Sequence, residues 1–287
     1  MNLTNLIGAM CMALGGAAAL AAPAAVARYE LNVPAGAAHA GGAGRLQFIG
    51  AASVLIRYRG ITLLTDPDAM PATLPGPDLV LLSRDDARQL ERLLQSKVER
   101  KTPIVATEQV AARLRAGGFT RLYPLQTWDA LLLKKGAARL RLTAMPGRPN
   151  GALGASRAAG LNAMLDFGAG QPGPLAPWRP RLRPPLRLYI SGEALLPDDV
   201  RDLARRLPGA DLALLDAGGT RLLGVLADGE GVGPGRHLAR LIAPAAGVDV
   251  GGPPLASLER ALKLGGWQGG FSHQRPGAAY ALAPRRR

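Results

Sequence analysis

The side chains that most often hold a catalytic metal are scarce in this sequence. Its 287 residues include three histidines, His39, His237 and His273, and one cysteine, Cys11. Catalytic zinc needs three protein ligands and an open fourth position for water, and none of the histidines lies in a ligand spacing. A single cysteine also excludes an intrachain disulfide and a thiolate zinc site in the body of the chain. The residue types alone therefore do not predict a zinc centre.

Motifs for nucleophilic catalysis and phosphate binding are missing as well. Ser53, Ser83 and Ser191 have no histidine nearby in sequence, and no Gly-x-Ser-x-Gly elbow occurs. The glycine-rich stretch 229–235 is not surrounded by a strand-to-helix dinucleotide unit, so it is interpreted as a flexible loop. Neither a serine hydrolase site nor a nucleotide-binding loop is predicted.

The body of the chain alternates short apolar strands with a few helices. Strands are predicted at 46–49, 53–58, 61–65, 79–83, 104–106, 122–125, 130–133, 138–145, 161–167, 186–191 and 212–216. Helices are predicted at 85–97, 108–116, 197–207, 237–242 and 255–264. A region rich in Gly, Pro and Arg divides the chain into two halves that each mix strands with helices. This pattern predicts two sheets packed face to face with helices outside.

Three short signals fix the ends of these elements. Arg59-Gly60 separates two apolar strands and predicts a hairpin turn. Thr107 is placed to cap the second helix, which Gly117-Gly118 should end. Pro197 suits the first position of the helix that it begins.

The first 27 residues have the form of a secretory signal peptide. Residues 6–22 are almost wholly apolar, and an Ala-Val-Ala cleavage site precedes Arg28. Because no Lys or Arg precedes the apolar run, a membrane anchor and a cytoplasmic protein with a disordered start remain alternatives. Residues 28–44 are predicted to be a linker into a single domain over 45–287. The expected localisation is export.

The chain is strongly basic, with 35 Lys and Arg against 21 Asp and Glu and a formal net charge of +14. Such an excess can attract nucleic acid, anionic lipid or an acidic partner. It can also reflect a composition rich in Ala, Gly, Arg and Pro with scattered cations, which is the favoured interpretation. The basic runs 178–183 and 285–287 lack interleaved aromatic residues for base stacking, so nucleic-acid binding is not expected.

Eight fragments of the chain form a recognisable series, namely residues 45–50, 53–56, 63–67, 78–83, 144–148, 189–192, 211–215 and 218–220. In their order and spacing these fragments resemble metallo-β-lactamase-fold hydrolases. The similar branch includes bacterial lactonase-type enzymes and N-acylphosphatidylethanolamine phospholipase D, and the resemblance extends from residue 45 to about 282. It implies an α/β fold, a four-layer αββα sandwich, and in the ancestral family a zinc-dependent hydrolase.

The resemblance also implies where the metal ligands should lie, and this sequence departs from the family there. After the strand that ends at Ser83 the family has His-x-His-x-Asp-His, whereas this chain has Arg-Asp-Asp-Ala-Arg-Gln. Arginine has no acceptor lone pair, so it cannot bind a metal and would repel one. The resemblance therefore implies a degenerate site without zinc. Its positions are Ala51, Asp66, Arg84, Asp86, Arg88, Gln89, Pro149, Glu193 and Asp216.

The carboxylates that survive near these positions are open to two interpretations. They can pair with the neighbouring arginines, which is the favoured interpretation, or they can form an oxygen-rich site for Mg²⁺, Mn²⁺ or Ca²⁺. The carboxylates concerned are Asp66, Asp85, Asp86, Glu193, Asp216 and Asp228. A separate hypothesis makes Arg84, Arg88 and Arg148 a clamp for an anionic small molecule or an acidic partner.

These observations favour a catalytically degenerate, exported protein of metallo-β-lactamase fold that has a binding or scaffold role and no cofactor. One alternative is a metal-dependent hydrolase of phosphodiester, lactone or amide bonds with a rebuilt carboxylate site. Another is a basic module that binds anionic polymers or membrane surfaces. The sequence leaves the ligand and the oligomeric state open.

Overall fold

The structure is a computed structural model, and its description covers most of the chain after residue 26. The described residues are 27–35, 44–67, 76–95, 98–145, 160–168, 184–194, 209–217, 220–228, 236–244, 255–275 and 278–282. The predicted helix over 197–207, the basic runs, Arg148 and Pro149 lie outside these residues, as does the signal peptide apart from Ala27. The backbone of Glu193 and Asp228 is described, but their side chains are not.

Two β-sheets form the frame of the molecule. The nine-stranded sheet has the order β1 (Ala27–Val33), β8 (Ala130–Lys135), β9 (Ala138–Met145), β10 (Asn162–Phe167), β11 (Leu186–Ala194), β12 (Leu212–Asp216), β13 (Arg221–Asp228), β14 (Arg236–Pro244), β15 (Gly270–Gln274). The seven-stranded sheet has the order β16 (Ala279–Leu282), β2 (Gly44–Phe48), β3 (Val54–Tyr58), β4 (Ile61–Thr65), β5 (Leu79–Leu81), β6 (Ile104–Ala106), β7 (Leu122–Pro124).

The two sheets pack face to face, and helices cover part of each outer face. The central core joins inward residues of both sheets, such as Leu46 and Ile56 with Leu142 and Leu188. Alternate residues of each strand point to opposite faces, so a second apolar set is left on each outer face.

Helices α1 (Ala87–Gln95) and α2 (Glu108–Ala116) bury the outer set of the seven-stranded sheet, and α3 (Leu255–Leu264) packs against that of the nine-stranded sheet. The predicted four-layer sandwich is confirmed. No helix in the described ranges has the length and apolar character needed to cross a membrane.

The local signals at Arg59-Gly60, at Thr107 and at Gly117 are confirmed, whereas Pro197 lies outside the described residues. Arg59 and Gly60 both have positive φ, 50° and 83°, as a two-residue hairpin turn requires between β3 and β4. The Thr107 side chain accepts a hydrogen bond from the backbone N–H of Val110 at the start of α2. Gly117 follows the helix as its C-terminal cap. Each of these features depends on neighbours in sequence, which is why the sequence could predict it.

The linker predicted over residues 28–44 is wrong for its first part. Residues 27–33 form β1, which pairs in parallel with β8 at the edge of the nine-stranded sheet. Leu31 is buried in the central core, and Tyr29 and Val33 pack against it. This alternation of apolar residues is the pattern of a strand. The glycines that follow this segment led to its interpretation as part of a linker.

The helix predicted over 237–242 is also wrong, because this segment is part of β14 between β13 and β15. Leu238 and Leu241 have helical spacing, and a register shift in the pairing with β13 accommodates this spacing in a strand. Two neighbouring strands supply the hydrogen bonds that decide the outcome. The division into two halves needs a similar correction. Strand β10 lies within the Gly/Pro/Arg-rich region, yet it pairs with both β9 and β11. Strand β16, at the end of the chain, completes the other sheet.

Candidate functional site

Segments from the two sheets meet at one end of the sandwich, just after β5. The carbonyl oxygen of Ser83 accepts a hydrogen bond of 2.7 Å from the backbone N–H of Leu161. A Cβ atom on Gly192 would lie 2.4 Å from that same oxygen, and one on Gly160 would lie 2.1 Å from the Gly192 oxygen. Only glycine permits backbones to approach so closely. This contact of Ser83 with Gly160, Leu161 and Gly192 is called the junction between the sheets.

Asp66 lies at the centre of this junction and is fully buried. Its Oδ1 accepts a hydrogen bond from the Ser83 backbone N–H at 2.8 Å, and its Oδ2 accepts one from the Ser83 hydroxyl at 2.7 Å. The Ser53 hydroxyl donates to the Asp66 carbonyl oxygen at 2.9 Å. The residue has a φ of 44°, a left-handed conformation that Asp tolerates better than most residues. The carboxylate is thus held rigidly between the ends of β4 and β5.

The cation that neutralises Asp66 is Arg221, the first residue of β13 in the other sheet. Its Nη2 donates to Asp66 Oδ2 at 2.5 Å and also to the Ser83 hydroxyl oxygen. Its Nη1 donates to the carbonyl oxygen of Ser191, and the whole side chain is buried. The Arg221 backbone N–H donates to the Ala51 carbonyl oxygen at 2.7 Å. One guanidinium therefore ties the two sheets together.

Arg221 was not among the candidates chosen from the sequence. The signal that could have identified it is strand periodicity, because Arg221 is in phase with Leu223, which points into the central core. An arginine at an inward position is costly to bury and needs a charged partner. The partner could not be found in this way, because Asp66 lies 155 residues earlier in the sequence.

Most of the other predicted positions lie nearby, and each described carboxylate has a partner of its own. Arg84 Nη1 lies 3.5 Å from Asp216 Oδ2, and both side chains are largely buried. Asp85 forms an ion pair with Arg113 of α2 at 3.2 Å. These pairs place the first two residues after the strand end against β12 and α2 respectively.

Asp86 caps the start of α1. Its Oδ1 accepts hydrogen bonds from the backbone N–H groups of Arg88 and Gln89 at 2.9 and 3.1 Å. Gln89 is buried, and its amide lies 3.5 Å from the Pro67 carbonyl oxygen, whereas Arg88 is exposed. Because Asp86 occupies the helix N-terminus, the N–H groups that an anion would use there are already bonded.

The described side chains at the junction do not fit a zinc ion. The Asp66 carboxylate already receives three hydrogen bonds, and the arginines at the junction, Arg84 and Arg221, have no lone pair to offer a metal. Among the described residues no three His, Cys, Asp or Glu side chains group as metal ligands. Pro149 lies outside these residues, as do the side chains of Glu193 and Asp228.

A second buried arginine centre lies on the outer face of the nine-stranded sheet. Arg187 Nε donates to Asp166 Oδ1 at 2.5 Å, and its Nη2 lies 3.2 Å from Oδ2. Arg141 stands opposite Asp166 on the neighbouring strand and is also buried. Burial lowers the pKa of the Arg141 guanidinium from its ordinary value, and Asp166 partly opposes that shift. This centre lies within one sheet, away from the junction.

Comparison with known proteins gives a likeness of fold. No protein-family model matches the chain, and no curated protein matches it in sequence. The isothiocyanate hydrolase from Delia radicum gut bacteria is 16% identical, with 83% of this chain and 99% of that chain covered and a TM-score of 0.48. The metallo-β-lactamase fold protein YhfI from Bacillus subtilis is 14% identical, with 83% and 100% covered and a TM-score of 0.43.

The diiron β-hydroxylase CmlA from Streptomyces venezuelae is 19% identical, with 52% of this chain and 29% of that chain covered and a TM-score of 0.35. A CmlA mutant is covered over 35% of its length, so the chain spans about a third of the length of these relatives. Identities this low concern the fold alone. Each of these proteins is similar to this chain at a TM-score below 0.5.

Proposed function

We propose that this chain is a metallo-β-lactamase-type sandwich that does not catalyse metal-dependent hydrolysis and instead has a binding or scaffold role. The observation that carries the proposal is the buried contact between the Arg221 guanidinium and the Asp66 carboxylate. A permanent cation supplied by the chain itself neutralises Asp66, which is fully buried at the junction. No cofactor is required in this proposal.

The electrostatics of the junction support it. A divalent cation at Asp66 would have to displace a guanidinium that also bonds Ser83 and Ser191. The displaced group would remain buried beside the new ion, and two like charges in a poorly solvated site repel strongly. The carboxylates of Asp85, Asp86 and Asp216 are held by Arg113, by the α1 backbone and by Arg84. Using them as ligands would require breaking these contacts.

The test is metal analysis combined with an activity assay. The purified full-length protein is incubated with Zn²⁺ and, separately, with Mn²⁺ and Mg²⁺, dialysed, and analysed for bound metal. We expect well under one ion per chain, and no chelator-sensitive turnover of a generic lactone or phosphodiester. A hydrolase of this superfamily that retains the histidine motif serves as the positive control.

About one ion per chain, removable by a chelator, would contradict the proposal. Chelator-sensitive turnover that is lost in Asp86→Ala would establish instead a hydrolase with a rebuilt carboxylate site. Export remains part of the proposal. Cleavage before Arg28 would leave residues 29–33 of β1 paired with β8.

A further inference from the structure

The outer face of the seven-stranded sheet is covered by helices at one end and open at the other. Leu55 and Leu64 belong to the cluster under α1 and α2. The next row across the sheet, set by the strand pairing, consists of Ala281, Arg45, Arg57 and Thr62. Ala281 and Arg45 are exposed, and Arg57 and Thr62 are partly exposed. This row, together with Gln47 and Ala279 beside it, is called the open face.

Two arginines stand directly opposite each other on the open face. Arg45 of β2 pairs with Arg57 of β3, and like charges at such cross-strand positions destabilise a sheet. Neither side chain has an ion-pair partner within the described ranges. Asp78, which follows Thr62 in the row, is bonded to Lys135 at 2.8 Å, so its charge is already neutralised.

The four strands that form the open face, β16, β2, β3 and β4, contain no Asp or Glu of their own. No Asp or Glu occurs between Glu30 and Asp66, a stretch that includes β2, β3 and β4, and none follows Glu259, so β16 has none either. The charged residues of these four strands are therefore Arg45 and Arg57 alone. A like-charge pair that costs folding free energy and has no ion-pair partner among the described residues is suited to an external anion.

The composition of the open face distinguishes among anionic partners. Its outward residues include no aromatic side chain to stack on bases and no large apolar side chain to insert into a bilayer. What it offers is guanidinium groups, which bind sulfate and carboxylate with two parallel hydrogen bonds, and the polar groups of Thr62 and Gln47. We propose that the open face binds an acidic polysaccharide through its sulfate or carboxylate groups.

This inference goes beyond the noncatalytic function proposed above and uses none of the junction residues. If the open face does not bind a polysaccharide, the proposal of a noncatalytic role is unaffected. If metal binds at the junction, the proposal for the open face is unaffected. The net charge of +14 also favours the binding of a polyanion. The whole chain attracts the polyanion, which then contacts specific arginines.

The experiment measures the affinity of the full chain for a heparin fragment, a sulfated polysaccharide, over a range of salt concentrations. The test variant is Arg45→Gln with Arg57→Gln. The matched control is Lys101→Gln with Arg121→Gln, which removes two exposed cations ahead of β6 and β7 in the same sheet. We expect the test variant to lose roughly tenfold in affinity and about two units of salt slope, while the control changes little.

The test variant should fold at least as well as the parent chain, because it removes a like-charge pair. Equal losses in the test and control variants would overturn the proposal in favour of general surface charge. Unchanged binding in the test variant would also overturn it. Tighter binding to duplex DNA or to phosphatidylglycerol vesicles than to heparin, with the same dependence on Arg45 and Arg57, would assign the face to a different partner.

Discussion

The molecule buries two arginine–aspartate pairs of similar geometry in different structural settings. Arg221 and Asp66 join the two sheets and are 155 residues apart, whereas Arg187 and Asp166 lie on adjacent strands of one sheet, 21 residues apart. The shortest nitrogen–oxygen distance is 2.5 Å in both pairs. The first pair holds separate layers together, whereas the second sits within a sheet whose backbone is already hydrogen-bonded. The same chemistry therefore has a different structural role in each place.

The surroundings of the two carboxylates sharpen this contrast. The Asp66 carboxylate has one cationic partner among the described residues, and its other two hydrogen bonds come from Ser83. Asp166 stands between two arginines, because Arg141 faces it from β9 and Arg187 from β11. Loss of one arginine would leave Asp166 with a neighbouring positive charge. Loss of Arg221 would leave the Asp66 carboxylate without a cationic hydrogen-bond partner among the described residues.

The largest expected effect is that of Arg221→Met. Removing one member of a buried pair leaves an uncompensated charge and costs about 3–5 kcal/mol of unfolding free energy. Arg187→Met should cost less, about 1–3 kcal/mol, because Arg141 remains beside Asp166. Urea unfolding followed by circular dichroism measures both values.

Arg88→Met, on the exposed surface of α1, is the control and should change stability by less than about 0.5 kcal/mol. A loss in Arg221→Met that does not exceed that in Arg187→Met would show that the junction pair does not hold the sheets together.

The sequence predicted what depends on near neighbours. The hairpin at Arg59-Gly60, the Thr107 cap and the segments near Ser83 and Gly192 were identified correctly, because turns, caps and apolar runs are local signals. The order and spacing of the fragments then indicated a four-layer sandwich. Carboxylates and arginines near Ser83 were also named in advance.

The sequence did not predict what depends on distant parts of the chain. The partner of Asp66 is set by how one sheet lies on the other, so Arg221 was missed. Strand β14 was mistaken for a helix because its neighbours in the sheet, not its own periodicity, determine its conformation. Strand β1 was hidden by a glycine-rich stretch that follows it. In each case pairing between distant segments decided the outcome.

The second-largest expected effect is that of Gly192→Ala, which disrupts the backbone contact at the junction. Gly192→Ala would place a Cβ atom 2.4 Å from the Ser83 carbonyl oxygen and 2.6 Å from the Leu161 nitrogen. Both are backbone atoms held by hydrogen bonds, so the sheets must separate, at a cost of about 3 kcal/mol. The matched control is Gly76→Ala, where an added Cβ would meet nothing within 4 Å.

Urea unfolding of the two alanine variants gives the comparison. If Gly192→Ala is as stable as Gly76→Ala, the close contact between the two sheets at Ser83 does not exist as described. The same result would weaken the case that Arg221 reaches Asp66 across it.

The smallest expected effect extends the contrast to an exposed pair, Glu30 of β1 with Lys134 of β8. The hydrogen bond of 2.6 Å from Lys134 lowers the pKa of the Glu30 carboxyl below its ordinary value. A lowered folded pKa means that the stabilisation is present above the unfolded pKa, about 4.3, and is lost as the pH falls through the folded value. Lys134→Gln should therefore lower the urea midpoint slightly at pH 7.

The difference in urea midpoint between Lys134→Gln and the parent chain is called the offset. It should shrink as the pH falls below 4, because the Glu30 carboxylate is then protonated in both proteins. Lys101→Gln removes an exposed lysine that has no ion pair within the described ranges, and its offset should not change over the same interval. An offset for Lys134→Gln that rivals that of Arg221→Met would contradict the ranking, because water screens an exposed pair. Burial of the pair would then not be the reason why Arg221→Met has the largest expected effect on stability.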